Sequence, residues 1–141
     1  MQRDEFERRR LRVYIAGPIS GGDVWENVIS GLRWGRKLLG DGFAPYVPHM
    51  DAYMTLTPGA TKEPTVDPFP WGALLEWDLE WVTSSEAVFR LDGVSKGADL
   101  EVDIASQQGI PVFFESDPGG YDALCRYARE RGLSGKQGVS A

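Results

Sequence analysis

The chain has one cysteine and one histidine among its 141 residues. Cys125 alone supports neither an intrachain disulfide framework nor a cysteine-based metal site. No apolar run approaches the ~20 residues needed to span a bilayer. The first ten residues carry charges of both signs and no apolar segment of the kind a secretory signal has. Basic residues do not dominate: the net charge is −6. Long nucleic acid is therefore a poor partner, since neutralising many phosphates takes a basic face. A single small phosphate is still accessible, because a helix N-terminus binds one without net positive charge. The phosphate-loop pattern GxxxxGK[ST] and the dinucleotide fingerprint GxGxxG are both missing. These absences point to a cytoplasmic protein.

What is present is a strand–turn–helix–strand pattern centred on Ser95-Lys-Gly-Ala-Asp-Leu-Glu101. Ala87-Val-Phe-Arg-Leu91 before it and Ile110-Pro-Val-Phe-Phe114 after it read as strands. Such βαβ units build parallel sheets, and ligands sit at the carboxyl ends of their strands. Ser95 reads first as an N-cap, Gly97 as the turn glycine, and Glu101 as a carboxylate one turn into the helix. Amides of that first turn favour an anion.

The front of the chain repeats the pattern. Leu11-Arg-Val-Tyr-Ile-Ala16 reads as a strand, Gly17-Pro-Ile-Ser-Gly-Gly22 as a loop, and residues 24–40 as a helix. Trp25, Val28, Ile29, Leu32 and Leu39 recur there at helical spacing. Asp23 can cap this helix and Gly40-Asp-Gly42 can end it. Phe43 to Val47 is a short strand, at an edge or irregular because of Pro45. His49 falls where that strand ends and is a candidate pocket residue.

Residues 50–70 form a long loop with four prolines. Its Tyr53 and Phe69, with adjacent Trp71, make it a candidate lid over a flat ligand. Trp71 to Val82 reads as a largely buried helix with Asp78 in its apolar surface, where a carboxylate is costly unless paired or used. Tyr121 to Arg131 is a last helix, with Leu124, Tyr127 and Ala128 inward. The Arg8–Arg10 run reads as a solvated face. The expected organisation is a charged lead-in (1–10), one domain (11–131) and a disordered Gly/Ser-rich tail (132–141). The fold class is α/β: a Rossmann-like, flavodoxin-like three-layer sandwich on a parallel sheet of four or five strands.

Tyr14-Ile-Ala-Gly-Pro18, Asn27, Asp78, Ser95-x-Gly-x-x-x-Glu101 and Ala105-x-x-x-Gly109-Ile-Pro-Val112 together resemble the nucleoside 2-deoxyribosyltransferase superfamily over residues 11–114. The resemblance implies that Glu101 attacks the anomeric carbon, Tyr14 orients it, and Asp78 handles the base or its proton. It implies no metal and no redox cofactor, and a homodimer or larger assembly. Serine at position 95 is similar to the branch that hydrolyses 2'-deoxynucleoside 5'-phosphates, where it binds phosphate. Gly17, Pro18, Ile19, Ser20 and Gly21 resemble that branch's phosphate loop, and with Ser95, Gly97 and His49 complete the expected substrate contacts. One departure stands out: those hydrolases carry arginine at the Ser20 position, leaving Lys96 as a substitute cation. The expected activity is cleavage of a nucleotide N-glycosidic bond. The alternatives are base exchange between free deoxynucleosides and a nucleotide-binding sensor without catalysis.

Overall fold

The alternation along Leu11–Ala16 decides the layers. In the computed structural model, which describes residues 9–51 and 71–133, this stretch forms β1 (Arg12–Ala16). Successive strand side chains point to opposite faces. Val13 and Ile15 go one way, Tyr14 and Ala16 the other, and all are fully buried. A strand buried on both faces belongs to a sheet covered by helices on both sides.

The chain continues through α1 (Val24–Gly40), β2 (Ala44–Tyr46), α2 (Trp71–Thr83), β3 (Ala87–Arg90), α3 (Lys96–Gln107), β4 (Val112–Phe114) and α4 (Gly120–Glu130). The strands form one parallel four-stranded sheet in the order β2-β1-β3-β4. On one face Val13, Ile15 and Phe89 pack with Leu38 of α1 and with Leu124 and Ala128 of α4. On the other, Tyr14, Ala16 and Val88 pack with Val82 of α2 and with Ala98 and Ala105 of α3. The fold is thus the expected Rossmann-like α/β sandwich, with four strands among the described residues. Strand order reverses between β1 and β3, and the crevice outside their carboxyl ends is where such folds bind ligands.

Local chemistry explains the element ends. Asp23 caps α1 by accepting from the Glu26 amide at 3.1 Å. Gly42, at φ 97°, takes the left-handed turn that follows α1. β2 is an edge strand, which suits Pro45 and its missing N–H. Pro111 likewise delays β4 until Val112, although its carbonyl still accepts from the Val88 amide at 3.0 Å.

Two expectations are corrected. Trp25 and Leu39 lie outside the buried stripe of α1, which is Val28, Gly31, Gly35 and Leu38; Trp25 is 66% exposed. Helix α2 is not largely buried. Only Val82 is fully enclosed, and Trp81 is 44% exposed, because α2 meets the body along one side while its apolar residues run round more of it. Arg9 and Arg10 are exposed, as expected, and also tied down: Arg9 pairs with Glu86 at 2.6 Å, and Arg10 donates to the carbonyls of Leu39 and Phe43. The expectations for residues 1–8, the lid loop over 52–70 with Tyr53 and Phe69, the Trp71 side chain and the tail over 134–141 lie outside the described residues. Among the described residues no helix is long and apolar enough to cross a membrane.

Candidate active site

The two glycine-containing turns after β1 and β3 lean on each other. The Leu91 amide donates to the Ala16 carbonyl at 2.7 Å. A Cβ on Gly17 would lie 3.0 Å from the Leu91 Cβ, and one on Gly93 would lie 2.8 Å from the Pro18 ring. Both positions need the missing side chain, and Gly93 also needs its positive φ of 112°. Gly93 is therefore the turn glycine. Gly97, expected in that role, sits inside the first turn of α3 without a positive φ. A Cβ there would meet nothing within 4 Å, so Gly97 keeps one side of the crevice open.

Between these turns lies a cavity of about 520 Å³. Gly17, Ile19, Ser20, Gly21 and Val24 form one wall, and Leu74, Leu75 and Asp78 of α2 face them. Val94 to Ala98 and Glu101 complete it from the β3–α3 side, and Asp51 from beyond β2. Asn27 fixes the first wall by donating to the carbonyls of Ile19, at 3.1 Å, and Gly21, at 2.6 Å.

Glu101 is one turn into α3 and only 6% exposed. Its Oε2 accepts a hydrogen bond from the Tyr14 hydroxyl on β1. Burial pushes the Glu101 carboxyl up to about 7. The Tyr14 hydrogen bond and the Arg90 charge pull it down, and Asp51 pushes it further up. Burial and the facing carboxylates hold the Tyr14 phenol far above its ordinary value, so it stays a neutral donor. Tyr14 is not among the residues lining the cavity, and it meets the site through Glu101. Its ring stacks on Tyr46 at 5.6 Å, and Tyr46 stacks on Trp81 at 5.0 Å.

Ser95 is the N-cap of α3: its Oγ accepts from the Ala98 amide at 3.1 Å. Capping occupies an oxygen lone pair and leaves the hydroxyl proton free to donate into the cavity. The amides of Lys96 and Gly97, in the same first turn, have no intrahelical acceptor. Arg90 ends β3 and is nearly buried. Its guanidinium donates to the carbonyls of Leu91 and Gly93 and to Asp99 Oδ1, the last at 3.0 Å, which clamps the turn against α3. This arginine holds the loop and is not among the lining residues.

The structure brings Tyr14, Asp78, Ser95 and Glu101 together at the carboxyl end of the sheet, with Gly17, Ile19, Ser20, Gly21 and Gly97 around them. Two expected contacts fall elsewhere. Pro18 packs on Gly93 outside the lining. His49 is fully buried, and the position of a Cβ on Gly31 would lie 2.4 Å from its ring. Burial lowers the imidazole to about 4, so it is neutral. His49 is a packing group between β2 and α1, and Asp51, two residues on, is the one that reaches the cavity. Asp51 and Arg90 were missed by sequence reasoning. Asp51 shares the strand-end position that singled out His49, and Arg90 is the one charge inside an apolar strand. Among the described residues no group of three or more His, Cys, Asp or Glu is placed to hold a metal ion.

No protein-family model matches this chain, and no curated protein matches it.

Proposed function

We propose that this protein cleaves the N-glycosidic bond of a (deoxy)nucleoside 5'-monophosphate, with Glu101 as nucleophile. The observation that carries the reading is the Tyr14–Glu101 hydrogen bond at the floor of a cavity whose opposite wall bears Asp78. Breaking this bond builds positive charge at the anomeric carbon and negative charge on the base. A carboxylate answers the first and an acid the second.

Glu101 attacks C1', the C1'–N bond breaks, and its electron pair leaves with the base. The base takes a proton from Asp78. Water then attacks the glycosyl ester, gives its proton to the Asp78 carboxylate and releases the sugar phosphate, restoring Glu101. Burial keeps a proton on Asp78 well above the ordinary aspartate range, as an acid needs. The phosphate end is the first turn of α3, with the Ser95 hydroxyl, the Lys96 and Gly97 amides and the Lys96 side chain. No cofactor enters this scheme. A cytoplasmic location and a homodimer or larger assembly belong to the same reading; the exposed Trp81 on α2 favours the latter.

One observation favours base exchange between free deoxynucleosides instead. Ser20 supplies no guanidinium at the cavity wall, and Arg90 is committed to carbonyls and Asp99. The test is a panel of nucleosides and their 5'-monophosphates incubated with the protein, with free base read by chromatography. Base release from monophosphates in water supports hydrolysis. Release only from free nucleosides with an acceptor base present supports exchange. Tight nucleotide binding with no release from any member supports a sensor and overturns both.

A further inference from the structure

Two carboxyls meet in the cavity wall. Asp51 lies beyond the end of β2 and is only 7% exposed. Asp78, on α2, lines the same cavity, and the two carboxyls are close enough to shift each other's protonation. Asp51 Oδ2 and Asp78 Oδ1 are both buried, and neither has a donor among the described residues. The second Asp51 oxygen is within 3.5 Å of the Tyr46 hydroxyl. Two ionised carboxylates offer only acceptors and cannot hydrogen-bond each other. One proton between them satisfies both orphaned oxygens at once, and it removes one of two like charges from a desolvated site.

We propose that Asp51 is a positioning residue that holds this single proton on Asp78, in the cavity and ready for the departing base. The role in base release rests on the hydrolase reading above; the shared proton does not. Every neighbour pushes the same way. Glu101 on α3 faces Asp78 as a further negative charge, and the Tyr14 and Tyr46 phenols, from β1 and β2, stay neutral. Arg90 acts on Glu101 and is bound to carbonyls and Asp99. Asp51 is therefore the acceptor that keeps the proton on Asp78 until the base departs. Without it Asp78 has lost both its partner and the charge that opposes its ionisation. An asparagine at position 51 reverses the sign: its amide donates to the Asp78 carboxylate and favours the charged form.

The experiment is carboxyl-carbon NMR on protein labelled at aspartate, paired with the pH profile of base release. In the intact protein one aspartate carboxyl should keep its proton above pH 7, and Asp78→Asn should remove that signal and so assign it. In Asp51→Asn the same carboxyl should titrate at least one pH unit lower. The alkaline limb of base release should move down by the same amount, which is a tenfold or larger loss of rate on that limb. Ordinary titration of both carboxyls in the intact protein overturns the proposal, and so does an unmoved titration in Asp51→Asn. If the intact protein releases no base from any nucleotide, the hydrolase reading fails while the titration still decides the shared proton.

Discussion

The Tyr14 hydroxyl donates to Glu101 Oε2 across 87 residues of sequence, from the middle of β1 to the second turn of α3. The phenol is buried and neutral, and Glu101 itself lines the cavity. This bond lowers the Glu101 carboxyl against the upward push of burial. Tyr14→Phe removes the donor but keeps the ring and its stacking on Tyr46. A hydrogen bond to a charged group contributes ~1.5–3 kcal/mol, so kcat/KM should fall about tenfold to a hundredfold. The acid limb of activity should move to higher pH, because the carboxyl is then harder to ionise. An unmoved limb in Tyr14→Phe would show that the bond has no part in ionising the nucleophile.

Glu101→Gln asks a different question. The carboxamide keeps the size and one acceptor oxygen but has no charge. It neither traps the anomeric carbon nor stabilises its positive charge. Base release should fall by several orders of magnitude while nucleotide binding survives. Measured on one reactive nucleotide, similar rates in the two proteins would remove Glu101 from the nucleophile's role.

The pH profile of the intact protein should be a bell. Glu101 must be ionised to attack, and burial places its carboxyl at about 7. Asp78 must hold a proton to give, and burial with the Asp51 contact raises it to about 9. Activity therefore rises through pH 7 and falls toward pH 9. Stability carries its own sign. A carboxyl whose native pKa is raised stabilises fully below the unfolded value and loses that contribution as pH rises through the native one. Thermal midpoints should thus fall as pH climbs through about 7 for Glu101, and Glu101→Gln should flatten this decline. Glu86, held down at about 2 by Arg9 and Arg12 despite its burial, has the opposite sign: its contribution is lost as pH falls toward 2.

Much of this site was legible because strands and helices announce their ends. Glycines break two apolar runs after Ala16 and Leu91, and both breaks became cavity walls. Ser95 and Glu101 followed from helix geometry, and Asp78 from a carboxylate in an apolar surface. The rest depends on packing that spacing does not encode. His49 and Asp51 follow the same strand, yet only the packed structure decides which one turns toward α1 and which toward the cavity. Gly97 and Gly93 are both plausible turn residues on paper, and the positive φ of 112° at Gly93 settles which one turns. The outer face of α2 read as core because it is apolar, and apolar pattern alone does not say what covers it.

Gly31 on α1 tests the placement of His49. Alanine in a helix interior gains ~1 kcal/mol over glycine where there is room. At Gly31 there is none: a Cβ would lie 2.4 Å from His49 Cγ and 2.6 Å from Nδ1. Overpacking of this kind costs ~1–3 kcal/mol, so Gly31→Ala should lower the midpoint of denaturant unfolding. Gly40→Ala, at the end of the same helix with nothing within 4 Å, should leave stability unchanged or slightly raised. Equal behaviour of the two variants would mean that His49 does not pack where the structure puts it.

Ser95 combines two roles that different substitutions separate. Its oxygen caps α3, and its hydroxyl lies at the cavity wall where we propose the phosphate binds. Ser95→Ala loses both. Loss of the cap should cost ~1 kcal/mol of stability, and loss of the donor should weaken use of a monophosphate by ~1.5–3 kcal/mol, about tenfold to a hundredfold in kcat/KM. Ser95→Asp restores the cap, since aspartate caps as well as serine, and places a negative charge where the phosphate would sit. It should fold as stably as the intact protein. It should also use monophosphates more poorly than Ser95→Ala does, because repulsion adds to the missing donor. Free nucleosides should be affected far less by either change. The measurement is kcat/KM for one nucleoside and its 5'-monophosphate in all three proteins, beside their unfolding midpoints. Equal losses for nucleoside and monophosphate would remove the phosphate from this end of the cavity and leave Ser95 as a cap alone.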